Sequence, residues 1–188
     1  MIDFPRHTAE TAPGQAGPQL AGIRKAWGFI PNLHATLAES PTTLQGYDML
    51  FGLVGQGTLT PAEQQVAFLT ASRVNACEYC VSGHAVLAGM AKLDAASIEA
   101  LRAGTALPDA KLDALARFTA AVVEQRGNLS EAQVADVLAA GYGKAQVLEV
   151  VLVVATKTIS NYVNHLTHTP FDDFMAKTLW HAPSQHAA

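Results

Sequence analysis

Both cysteines of the chain fall in one stretch, residues 74–90 (VNACEYCVSGHAVLAGM), as Cys77 and Cys80 at C-x-x-C spacing. His84 follows four residues after Cys80. On a helix, positions i and i+4 share a face, so a helical Cys80 stands beside an imidazole able to take or share its proton. Asn75 and Ala76 break the preceding pattern, which makes Cys77 the start of a new helix. The free N–H groups and positive dipole end of that first turn favour a thiolate. A paired thiol, a base one turn on and a helix N-terminus together are the parts of redox or nucleophilic thiol chemistry. The same C-x-x-C also serves as half of many zinc sites. In that alternative Cys77, Cys80 and His84 would hold the ion, with His165 or water as the fourth ligand.

The elements that must position these groups read as helices throughout. Leu20, Ile23 and Trp27 have helical spacing, so a short helix is expected over about 18–27, closed by Gly28. A second short helix follows Pro31 and runs through Leu37. Trp27, Phe29 and Leu33 read as core packing, since aromatic side chains dominate burial; the alternative is that they wall a substrate pocket. Ser40-Pro41 is an N-cap with proline at the first helical position, and the helix it opens is broken by Gly55-Gln56-Gly57. Thr60-Pro61-Ala62-Glu63 is a capping box, and its helix should end near Asn75, where the cysteine helix begins and runs to about Met90. Asp94 caps the next helix, Asp109 another, and Ser130 with Gln133 forms a second capping box. Residues 147–154 are β-branched and would suit a strand by propensity alone. The pattern nevertheless runs for more than twenty residues without Gly or Pro, which argues for one long helix, apolar on nearly all sides and placed mid-bundle, ended by Pro170. A last short helix is expected within 171–180. The fold class is all-α: an irregular arm over 1–18, a single helical domain over 19–180 and a flexible tail over 181–188.

The bulk properties narrow the function. With 188 residues the chain suits one domain with a sizeable core. A net charge of −4 and the lack of any basic run give no reason to expect nucleic acid or an anionic membrane as partner. The longest apolar run, 150–155, is too short to span a bilayer, and no signal peptide is evident, so a cytoplasmic protein is expected. There is no glycine-rich phosphate loop and no Gly-x-Ser-x-Gly elbow.

C-x-x-C-x-x-x-H at a helix start, after the amphipathic TPAEQQVAFLTASRVNAC, resembles the alkylhydroperoxidase AhpD-like family of the carboxymuconolactone decarboxylase superfamily. GFIPNLHATLAESPTTLQGY upstream and NYVNHLTHTPFD downstream look like the peroxidase-related branch, so the resemblance covers roughly residues 20–175. It implies an AhpD-like helical bundle, homo-oligomers such as trimers or hexamers, and a peroxidase that uses no cofactor and no metal. It further implies that Cys80 attacks the hydroperoxide, Cys77 resolves the sulfenic acid to a disulfide, an external thiol or dithiol restores the pair, and His84 helps deprotonate Cys80. The decarboxylase branch does not rely on this dithiol.

The family's proton relay has a glutamate twelve residues before the first cysteine; here that position is Gln65. Glutamine can orient His84 but cannot take a proton. General-base help is worth ~10²–10⁴-fold, so weakened peroxidase activity, or disulfide exchange without it, is an alternative, as is a non-enzymatic scaffold. Glu63 lies about 200° around the helix from Gln65 and is occupied by the capping box. Glu78 reads as an exposed first-turn acid, with a base role as its alternative; Tyr79 as a packing residue, with pocket wall as its alternative; His165 as a core or interface histidine, or, with Asn161, a second polar group at the thiol pocket. His34, His168, His181 and His186 stand in no informative pattern.

Overall fold

The computed structural model describes residues 2–183. They form nine α-helices and, among the described residues, no strand: α1 (Ala16–Trp27), α2 (Asn32–Leu37), α3 (Pro41–Val54), α4 (Pro61–Val74), α5 (Glu78–Met90), α6 (Ala95–Ala103), α7 (Ala110–Glu124), α8 (Glu131–Ala139) and α9 (Lys144–Thr167). The 147–154 run is therefore helical, as its length without Gly or Pro requires. Helix starts fall where the side chains cap them. Ser40, Thr60, Asp94, Asp109 and Ser130 each accept a hydrogen bond from a first-turn N–H, and Thr60/Glu63 and Ser130/Gln133 form full capping boxes. Gly28 closes α1 in the left-handed region, at φ 84°. No single helix among the described residues is long and apolar enough to cross a membrane.

Four expectations are corrected. The centre of the bundle is α4, not α9. The run Val66–Ser72 is buried on every side, because Ala67, Thr70, Ala71 and Ser72 are small enough for α5, α6, α7 and α9 to approach all round. Helix α9 buries one face, including Val150, Val153, Lys157, Ser160 and Asn164, while Leu148, Val151, Tyr162 and Leu166 stay exposed. It ends at His168, which takes the left-handed C-cap conformation two residues before Pro170. The last short helix is a single 3-10 turn, Asp173–Met175; the segment around it is held instead by side chains. Regular structure begins at Ala16, inside the expected arm. Of the expected tail, His181 and Ala182 bond to Glu78, and 184–188, with His186, lie outside the described residues.

Candidate active site

The turn between α4 and α5 sets the dithiol. Ala76 adopts φ 54°, its N–H bonds to the Arg73 carbonyl at 2.8 Å, and the Cys77 N–H bonds to the Ser72 carbonyl at 2.9 Å. This is a Schellman closure with alanine where glycine is usual; the left-handed alanine costs ~1–2 kcal/mol. The reversal makes Cys77 the N-cap of α5 and puts Cys80 in its first turn. Both sulfurs are buried and not joined in a disulfide. Cys80 lines a cavity of about 420 Å³, with Tyr79, Gly83 and His84 from the same helix; Cys77 lies behind it, fully buried.

A lysine completes the site. Lys157 on α9 is 1% exposed, and its Nζ lies 3.0 Å from His84 Nε2. His84 Nδ1 lies 2.9 Å from Gln65 Oε1. A carbonyl oxygen can only accept, so Nδ1 carries the ring proton and Nε2 accepts from Lys157. Burial and then the Lys157 charge hold the His84 pKa well below its usual value, so the ring is neutral. Asn164 Nδ2 donates to Cys80 Sγ at 3.2 Å and reaches Cys77 Sγ at 3.8 Å; the Ser160 hydroxyl lies 3.8 Å from Cys80 Sγ. Burial alone would raise the Cys80 pKa. The hydrogen bond from Cys77, the Lys157 charge and the hydrogen bonds of Ser160 and Lys157 outweigh it and hold the thiol well below its ordinary range. Cys77 shifts upward: it gives its S–H to Cys80, it is buried, and it faces the Cys80 charge. Among the described residues no carboxylate pairs with Lys157, so the Cys80 thiolate is its counter-ion. The arrangement is a buried thiolate–ammonium pair with a protonated thiol held in reserve.

Thus Cys77, Cys80, His84 and Gln65 come together, but not as the i+4 spacing suggested. The hydrogen bonds of His84 go to Gln65 and Lys157, and Lys157 stands between the imidazole and the sulfur chemistry. Lys157 went unnoticed in the sequence. Its signal was a lone cation inside an apolar helix, which needs a buried partner or a functional reason. Glu63 is held by Thr60 and by Lys111 at 3.2 Å, away from the thiols. Glu78 faces the chain's end, bonding His181 and the Ala182 N–H at 3.0 Å each, so it is no base for Cys80. Tyr79 lines the cavity; its hydroxyl donates to Asp172 and accepts from the Leu33 N–H at 3.2 Å. Asp172 also takes the Asn32 N–H, capping α2. Asn161 is fully buried and accepts from Asn75 Nδ2 at 2.9 Å, which ties α9 to the cysteine turn and not to the cavity. His165 is exposed: Asn164 takes the inward position, and one residue is about 100° of helix rotation. The zinc alternative therefore loses His165 as a fourth ligand, and both nitrogens of His84 are engaged beside an ammonium.

The far wall corrects the core reading of the aromatic residues. Trp27 is 41% exposed and lines the cavity with Leu33, while Phe29 packs on Phe174, also at the cavity, with ring centroids 5.4 Å apart. A row of rings runs from the thiol end outward. His84 stacks on Phe68 (4.7 Å), Phe68 on Phe51 (5.4 Å), and Tyr47, His34 and Trp27 continue it at 6.1, 5.5 and 6.3 Å.

Residues 43–118 match the sequence profile of the Carboxymuconolactone decarboxylase family. In three dimensions the chain is similar to the alkylhydroperoxidase AhpD core of an uncharacterized peroxidase-related protein from Ralstonia eutropha JMP134 (TM-score 0.80, 17% identity, 93% of this chain and 96% of that one). A peroxidase-related protein from Silicibacter sp. TM1040 is similar too (0.79, 18%, 93% and 92%). The chain thus has an AhpD-like fold, and its segment 43–118 is similar to the carboxymuconolactone decarboxylase family. The debrominase Bmp8, in a cysteine-to-alanine form complexed with 2,3,4-tribromopyrrole, also has this AhpD-like fold (0.77, 16%, 95% and 95%). No curated protein sequence is a significant match. The segment matched by the profile contains α4, α5 and both cysteines; α1, α2 and α9, which supply the far wall and Lys157, lie outside it.

Proposed function

We propose that this protein is a thiol-dependent peroxidase that reduces apolar hydroperoxides, with Cys80 attacking and Cys77 resolving. The observation that supports it most is the asymmetry of the two sulfurs: Cys80 opens on the cavity with Lys157 as its counter-ion, and Cys77 sits behind it as a thiol. The Cys80 thiolate attacks the terminal oxygen of the hydroperoxide, the O–O bond breaks, and sulfur becomes a sulfenic acid while the alkoxide leaves. Lys157 gives the alkoxide its proton. Cys77 then displaces water from the sulfenic acid to form the disulfide. An external thiol or dithiol reduces the disulfide, and the returning Cys80 proton restores the Lys157 ammonium. His84, fixed in one tautomer by Gln65, holds the lysine in place, so glutamine suffices where the relay in relatives uses a carboxylate. Such a cycle suits the reducing cytoplasm.

The test is a thiol titration of reduced protein before and after one equivalent of cumene hydroperoxide, with intact mass. The expected result is rapid loss of two thiols and two hydrogens, abolished by Cys80→Ser. Unchanged peroxide consumption in Cys80→Ser overturns the assignment; no peroxide reaction but fast oxidation by a disulfide donor leaves an exchange protein.

A second reading is favoured by the aromatic walls and by the likeness to a debrominase. The same two thiols would reduce a carbon–halogen bond, converting an aryl halide to the arene and hydrogen halide as the disulfide forms. Bromide release from 2,3,4-tribromopyrrole in excess of any peroxide turnover would select it.

Self-association to a trimer or hexamer is part of the proposal. Leu148, Val151, Tyr162 and Leu166 leave one apolar stripe of α9 uncovered, with Leu148 at 70% exposure, the kind of patch that association buries. Light scattering that finds a monomer at micromolar concentration removes it.

A further inference from the structure

The cavity has a second polar end that the thiol chemistry does not use. Gln19 on α1, His34 on α2 and Asp48 on α3 meet at its wall. Gln19 Nε2 donates to Asp48 Oδ2 at 2.6 Å, and His34 Nε2 lies 3.2 Å from Asp48 Oδ1. Asp48 remains 27% exposed in its side chain. Tyr47 lies between the two ends: besides the burial that raises its pKa, it feels the charges of both Cys80 and Asp48. The wall joining the ends is made by Phe51, Tyr47 and Trp27 of the row of rings already described, with Phe68 behind them, together with Ile23 and Ala26 from α1.

We propose that Gln19, His34 and Asp48 recognise a neutral hydrogen-bond donor carried on a flat aromatic substrate, a phenol O–H or azole N–H, whose reacting bond then faces Cys80. A carboxylate offers about four lone-pair sites, and only one of them takes a hydrogen bond from Gln19 while another faces His34. The remaining capacity belongs to an acceptor, in an otherwise apolar cavity. Donors are therefore selected over ethers, which bring no proton. Anions are selected against, because Asp48 is opposed only by His34 and the Lys157 charge is already taken by the Cys80 thiolate. Stacking along the rings supplies the preference for a flat body. The inference rests on the reading that Cys80's cavity is where substrate reacts, and it holds for either bond being reduced.

The experiment is calorimetric titration of the reduced full chain with p-cresol, 4-methylanisole and p-toluate, none of which has a reducible bond. p-Cresol is expected to bind roughly ten- to hundredfold more tightly than its methyl ether, the span of a hydrogen bond to a charged group, and p-toluate most weakly. Asp48→Asn, nearly the same in shape, is expected to reduce the cresol-to-ether ratio by about tenfold. A merely structural tie between α1 and α3 would leave that ratio unmoved. Equal binding of cresol and ether, tightest binding of p-toluate, or no binding of any ring overturns the proposal, even if Asp48→Asn fails to fold. Cys80→Ser separates this inference from the chemistry: it should keep the cresol preference while peroxide consumption disappears.

Discussion

The two ends of the cavity are built on opposite principles. At the inner end two sulfurs, a lysine, a histidine and two amides are buried within hydrogen-bonding reach of each other, and most of their polar atoms have a partner, the buried Asn164 Oδ1 being an exception. At the outer end Gln19, His34 and Asp48 are partly exposed, and Asp48 keeps acceptor capacity to spare. A closed network fixes an electronic state, here a thiolate; an open one is suited to complete itself on a ligand. The inner end should therefore set the rate of sulfur chemistry and the outer end the choice of substrate, and mutations at the two should separate cleanly.

The largest expected effect is at Lys157. Methionine at this position keeps the volume but removes the cation, so burial acts on Cys80 unopposed by the ammonium and its thiolate becomes scarce. An ordinary thiol of pKa ~8.5 is ~3% ionised at pH 7, so Lys157→Met should slow alkylation of Cys80 by iodoacetamide by ~30-fold or more. The wild-type rate should be nearly flat from pH 6 to 9, and the variant's should climb with pH through that range. Cys80 becomes a neutral thiol, but methionine leaves the buried His84 Nε2 without its donor, so the melting temperature should fall modestly, by the ~1–3 kcal/mol of one unpaired buried acceptor. A variant that reacts as fast as wild type would remove the thiolate–ammonium pair from the account.

The next effect is on stability in acid. Burial and the Lys157 charge depress the His84 pKa below its unfolded value. The unfolded chain therefore binds a proton that the folded chain refuses. The stability this confers is fully present above about pH 6.5 and is lost as pH falls toward the folded pKa, at ~1.4 kcal/mol per pH unit from this group. Urea denaturation between pH 7 and 5 should show this slope in wild type and a shallower one in His84→Leu. Identical slopes would mean that His84 titrates normally in the fold.

Which end was legible in the sequence follows from the same contrast. Cys77, Cys80 and His84 lie within eight residues of one helix start, so spacing and end chemistry could find them, and Gln65 followed from the family's pattern. The capping boxes at Thr60 and Ser130 fixed helix starts because a cap is a local event. Lys157 is brought to His84 across a span of 73 residues by the packing of α9 on α4 and α5, and no spacing rule carries that information. Gln19, His34 and Asp48 come from three helices, each with an ordinary pattern of its own. His165 failed for a related reason: choosing between it and Asn164 requires the rotation of α9, which is set by where Val150 and Val153 pack. The centre of the bundle was also misplaced, because hydropathy ranks the valine-rich α9 above α4, whereas close approach on all sides depends on small residues.

The smallest effect that still distinguishes the two ends is at Asn164. Its amide donates to Cys80 at 3.2 Å and reaches Cys77 at 3.8 Å, so it both solvates the thiolate and holds the sulfurs in register. A hydrogen bond to a charged group is worth ~1.5–3 kcal/mol, but Lys157, Ser160 and Cys77 remain to support the charge and share the loss. Asn164→Ala should therefore move the acid limb of Cys80 alkylation by iodoacetamide up by about one pH unit while leaving the rate at pH 9 near wild type, well short of Lys157→Met. It should also slow closure of the Cys77–Cys80 disulfide after sulfenic acid forms, seen as longer-lived trapping by dimedone. The cresol-to-ether preference should be untouched, because Asn164 belongs wholly to the inner end. A loss of that preference in Asn164→Ala would mean that the two ends are coupled through the cavity, and their division of labour would fail.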